Sequence, residues 1–250
     1  MNNGQFQPTG FRVLPPVVKN LLILNGLFFL ATNTFGRIFN IDLTEILGLH
    51  YFRSDAFQPY QLVTYMFMHG NFSHILFNMF ALWMFGNVLE NYWGPKRFLI
   101  YYMVTGIGAA LIQLLVIYVQ VYYAELSLTP EQIAQVRETG YQIYQNNQNF
   151  GDPLMGKLNA LYNLTTIGAS GAVFGLLLAF GMMFPNSLIY IYFFIPMKAK
   201  WFVVIYGAIE LFSGVYYTGS NVAHFAHLGG MLFGYFMIVY WKKHPDQNSY

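Results

Sequence analysis

Six apolar runs separated by polar connections set the outline of the chain: roughly Val17 to Phe35, Leu62 to Leu89, Phe98 to Val121, Ser170 to Phe184, Trp201 to Tyr217 and Asn221 to Trp241. A helix rising ~1.5 Å per residue needs about 20 residues to cross a ~30 Å hydrocarbon core, and most of the runs have that length. The fourth spans only about 22 Å, so Ser170 should begin below the membrane surface. Thr165 to Ala169 would then dip into the membrane as non-helical backbone, tolerated there only where protein or trapped water satisfies its polar groups. The first run follows a polar stretch with Arg12, Pro15 and Pro16 and lacks a small-residue cleavage site, so it reads as a retained helix.

Charge supplies an orientation. Arg12 and Lys19, Lys96 and Arg97, Lys198 and Lys200, and Lys242 and Lys243 fall on one side of the six runs, while Arg37, Arg53, Arg137 and Lys157 on the other are mixed with acidic residues. By the positive-inside rule both termini are cytoplasmic. The expected product is an all-α polytopic membrane protein, one membrane domain over residues 1–250 with short cytoplasmic termini and an external insertion at about 122–166. Within the insertion, Thr129 to Asn149 predicts a helix capped by Thr129 and started by Pro130, and the insertion as a whole reads as a solvated spacer, the alternative being a cover over a site opening on that side or a contact for the external parts of other proteins.

Composition narrows the function classes. Charged residues make up 9% and aromatic residues 20% of the chain, too few charges to coat a globular surface. A net charge of +2 gives no reason to expect a nucleic-acid partner, and the lack of cysteine rules out disulfides, thiolate catalysis and cysteine-ligated metal. No internal inverted repeat supports a transporter.

The candidate chemistry lies in three strings. Gly168-Ala169-Ser170-Gly171 opens the fourth run, and Ala223-His224-Phe225-Ala226-His227-Leu228-Gly229-Gly230 opens the sixth. Both start on the same side, which puts Ser170 and His227 at comparable depth. Gly171 with Gly175, and Gly230 with Gly234, form small-residue strips that allow close helix approach, as a Ser-His hydrogen bond of ~2.6–3.2 Å requires. In the third string, His69-Gly70-Asn71-Phe72-Ser73-His74-Ile75-Leu76-Phe77-Asn78, His74 and Asn78 share a helix face and offer donors to a developing oxyanion, with the Ser170 amide as a third. His69 is expected to brace a loop. His224 lies ~4.5 Å nearer the outside than His227. The histidine spacings offer no acidic or cysteine partner, so neither metal nor cofactor is expected. Glu210, near mid-membrane, is expected to make a structural polar contact apart from the Ser-His pair.

Together, Gly168-x-Ser170-Gly171, His227 with Gly230 and Gly234, and the His69-x4-His74-x3-Asn78 string resemble the rhomboid family of intramembrane serine proteases, from about Pro59 to Val239 and in the family's order of helices. Glu90 to Gly94 resembles the family's acidic-to-glycine turn, and Phe174 falls where members carry an aromatic ring beside the catalytic histidine. The resemblance implies a six-transmembrane-helix rhomboid-like bundle with a Ser-His dyad and no carboxylate third member. Ser170 would be the nucleophile, His227 the general base, and His74, Asn78 and the Ser170 amide the oxyanion hole, supported by His69, Gly168, Gly171, Phe174, Gly230 and Gly234. It also implies a serine endopeptidase without cofactor, whose partners are transmembrane protein substrates and the lipid bilayer, with the fifth helix as a mobile gate. The expected location is a bacterial inner membrane. The alternative is an inactive relative that binds membrane clients, against which the presence of both Ser170 and His227 argues.

Overall fold

The computed structural model describes residues 10–191, 194–216 and 223–244. The expected end of the fifth run at Tyr217, the start of the sixth at Asn221 and the outermost terminal residues lie outside them. Helix α1 (Pro16–Phe39) starts with proline at its first turn, where no amide is needed. The next two amides, of Val17 and Val18, donate to the two carboxylate oxygens of Glu90 at 2.9 and 2.8 Å. The buried Glu90 thus caps α1 from a helix far along the chain. After a short helix α2 (Leu43–Leu47) capped by Asp42, the second run departs from the expected single helix. It consists of α3 (Gln61–Thr64), one 3₁₀ turn (Tyr65–Phe67), a break, then α4 (Phe72–Ala81), a π-helical turn (Leu82–Gly86) and α5 (Asn87–Trp93). The break has a local cause: the Asn71 side chain accepts the His74 amide at 2.8 Å and starts a new helix. Gly94, at φ 81°, turns the chain into the long α6 (Pro95–Glu125).

The insertion is not a spacer. Thr129 and Gln132 close a reciprocal capping box at the start of α7 (Pro130–Gln145), and Asp152 caps α8 (Pro153–Asn163). Val136, Met155, Leu158 and Tyr162 then form a second hydrophobic core with Tyr51, Ile117, Val121 and Ala124. The polar character of Thr129 to Asn149 hid this, because only one helix face, including Ile133 and Val136, turns inward. Arg137 bridges to Glu125 at 2.7 Å, and the Tyr162 hydroxyl donates to the same carboxylate oxygen at 3.1 Å.

Helix α9 (Ser170–Met183) is followed by an unexpected antiparallel hairpin, β1 (Leu188–Ile191) and β2 (Ile195–Lys198), in which Leu188 pairs with Lys198 and Ile191 with Ile195. Helices α10 (Ala199–Tyr216) and α11 (His224–Lys243) complete the described chain. Helices α6, α9 and α11 pack on one another at the centre, and α10 leans on α9 and α11. Among the described residues, four helical stretches are long and apolar enough to cross a membrane: Pro16–Phe39, Phe72–Trp93, Pro95–Glu125 and Ala199–Tyr216. By length and hydropathy the described residues thus account for four of the six expected runs. Helix α9 has 14 residues, and α11 is diluted by two histidines.

Candidate active site

The segment before α9 shows how non-helical backbone is held beside the central helices. Leu49 and Thr166 exchange two backbone hydrogen bonds, both 2.9 Å, and the Gly168 amide donates to the Tyr65 carbonyl at 2.9 Å. Protein groups therefore satisfy this backbone, as burial demands. Gly168 sits at φ 126°, and a Cβ there would lie 2.8 Å from Nε2 of His74, so glycine is required both for conformation and for space. Ser170 follows as the first residue of α9.

The approach of α9 to α11 depends on glycine at position 230. A Cβ on Gly230 would overlap the carbonyl oxygen of Gly171. Gly175 and Gly234 serve a different contact from the one expected: they face Thr105 and Tyr101 of α6. Tyr101 donates its hydroxyl to the Gly175 carbonyl at 2.8 Å. The glycine strips thus pack three helices together.

With the backbones this close, Nε2 of His227 lies 2.8 Å from Oγ of Ser170. The Phe174 ring stacks on the His227 imidazole at 4.2 Å between centroids and 5° between planes. Tyr206 also stacks on Phe174, at 5.4 Å between centroids. His227 is buried, so its orientation is fixed by packing as well as by hydrogen bonds.

One expectation about polar partners is corrected here. Glu210 does not stand apart from the Ser-His pair: its Oε2 lies 2.9 Å from Nδ1 of His227 and 2.7 Å from Nδ1 of His224. This carboxylate comes from α10, not from the helices that carry Ser170, His227 and His74. A carboxylate can only accept, so with Glu210 ionised both imidazoles carry their proton on Nδ1. That leaves Nε2 of His227 bare to accept the Ser170 hydroxyl proton. His69 is buried at the break before α4. Its ring meets His74 edge-on at 5.0 Å.

The two expected oxyanion donors differ in placement. His74 lies in the first turn of α4, its Nε2 beside Gly168. Asn78, one turn on and buried, donates its side-chain amide to the His74 carbonyl at 2.9 Å. The amides of the first turn of α9, including that of Ser170, have no acceptor one turn earlier in their helix. Glu210, His224 and His227 also bring three potential metal-ligand atoms within 4.8 Å of one another. The acidic partner missing from the histidine spacings is therefore present in space.

A family model described as the rhomboid domain matches residues 56–244. The chain is 26% identical over 217 residues to RHOMBOID-like protein 12, mitochondrial, of Arabidopsis thaliana, covering 86% of this chain and 55% of that protein. It is 26% identical over 243 residues to Rhomboid-like protein 11, chloroplastic, of the same plant, covering 89% and 67%. Rhomboid protein 1, mitochondrial, of Saccharomyces cerevisiae is 26% identical over 168 residues, covering 67% of this chain and 38% of that protein. The chain spans about half the length of the first of these relatives.

Proposed function

The chain belongs to the rhomboid family and is a multi-pass membrane protein, and on that premise we propose that it is an intramembrane serine endopeptidase with Ser170 as nucleophile and His227 as general base. The observation that carries this reading is the 2.8 Å contact between Oγ and Nε2, within the range for direct proton transfer. As Oγ attacks the substrate carbonyl carbon, its proton passes to Nε2. The resulting oxyanion is met by the Ser170 amide and the nearby His74 Nε2–H, and by Asn78 through the second hydrogen of its amide. When the C–N bond breaks, His227 returns the proton to the leaving amine, and water then hydrolyses the acyl-enzyme with His227 again as base.

The substrate is a transmembrane segment of another protein. A helix hides its carbonyls in its own hydrogen bonds, so the cut bond lies where small or helix-destabilising residues let the backbone open. Relatives named for mitochondria and chloroplasts lend no support to a bacterial inner membrane, and the chemistry holds in any bilayer.

The test is labelling by a serine-reactive fluorophosphonate in detergent, together with cleavage of a model transmembrane substrate. Wild-type protein should be labelled and cleave, and Ser170→Ala should do neither while keeping its helicity. Folded wild-type protein that is neither labelled nor active would overturn the reading in favour of a client-binding relative.

A further inference from the structure

Glu210 extends the Ser-His pair into a connected chain of four side chains on three helices. Ser170 lies on α9, His227 and His224 on α11, and the carboxylate that joins the two imidazoles on α10. The carboxylate is buried, and one of its oxygens faces two ring nitrogens at 2.7 and 2.9 Å. A partner at this distance on Nδ1 is what a serine nucleophile's histidine needs to hold one tautomer and to carry a transient positive charge. Resting on the assignment of Ser170 and His227 above, we propose that Glu210 is the positioning residue of a Ser-His-Glu unit. It fixes the Nδ1–H tautomer of His227 and balances the imidazolium formed when Ser170 gives up its proton.

Within this arrangement His224 holds the carboxylate rather than the serine. With its Nδ1 2.7 Å from the same Oε2, it holds that oxygen in place beside His227. The isosteric Glu210→Gln variant replaces one carboxylate oxygen by an NH₂ group. That group can donate to Nδ1 of His227 and move the ring proton to Nε2, where it blocks acceptance from Ser170.

The experiment measures kcat and KM on a transmembrane substrate, and both the rate constant and the end-point stoichiometry of fluorophosphonate labelling, for full-length wild type, Glu210→Gln and Glu210→Asp. Glu210→Gln should lose on the order of 10²-fold or more in kcat, with KM within about twofold and a parallel drop in labelling rate. Its labelling should still reach the wild-type stoichiometry, and Glu210→Asp should recover part of the rate. A Glu210→Gln enzyme within about threefold of wild type would overturn the proposal while leaving Ser170 and His227 assigned. A reduced labelling stoichiometry with a lowered thermal midpoint would overturn it in favour of a purely structural carboxylate. Loss of wild-type activity in a chelator, restored by zinc, would overturn it in favour of a metal held by Glu210, His224 and His227.

Discussion

Asn78 and His74 show how far residue identity and residue role can separate. Both can donate, and both lie on the first two turns of α4, yet the Asn78 amide is engaged with the His74 carbonyl while the His74 ring lies against Gly168, two residues before the nucleophile. His74→Ala should therefore lower kcat by the ~10²- to 10³-fold typical of a lost oxyanion donor, and Asn78→Ala by about tenfold, since its amide is already engaged with the His74 carbonyl. Turnover of a model substrate in the two variants checks this, and the reverse order would show that Asn78 turns outward on binding. Ser170, His227 and Phe174 were legible from local strings, because each motif places its residue at a fixed point on one helix. Glu210 was not. Its partner is 17 positions away on another helix, and which way a carboxylate faces depends on the rotation of α10 about its axis, a quantity that packing decides.

At the scale of elements, the α9–α11 contact sets the distance on which the chemistry depends. Gly230→Ala should push the two backbones apart, because its Cβ would overlap the Gly171 carbonyl. The expected result is loss of Ser170 labelling and a lower thermal midpoint. Gly151→Ala, at a position with nothing within 4 Å of an added Cβ, should leave both unchanged. Equal behaviour of the two variants would sink this account. The insertion gives the second element-scale test. Leu158, fully buried in the core it shares with Tyr51 and Val121, should cost about 2–5 kcal/mol when changed to alanine, measured by chemical or thermal unfolding. A solvated spacer would register no change. The Thr129 cap and Pro130 start of α7 were visible in the sequence because capping chemistry is local. The core beneath it was not, since it assembles from α6, α7, α8 and the loop at Tyr51.

For the whole molecule, the apolar runs located the helices, yet length and hydropathy alone do not explain the short one. Helix α9 survives at 14 residues because protein surrounds most of it, with Gly171, Ala172, Val173, Phe174, Gly175, Leu176 and Leu177 all buried. The hairpin from Leu188 to Lys198 was missed because its aromatic and β-branched residues continue the apolar character of the flanking helices without a change of period. Chain order adds one more consequence. In the proposed unit, Ser170, Glu210 and His227 come from α9, α10 and α11, the last three helices of the described chain, and the histidine comes from the last. During synthesis the nucleophile is therefore made well before its proton acceptor. On the proposed reading, a growing or prematurely terminated polypeptide ending before His224 carries Ser170 without a base, so any hydrolysis would wait until α11 docks against α6 and α9.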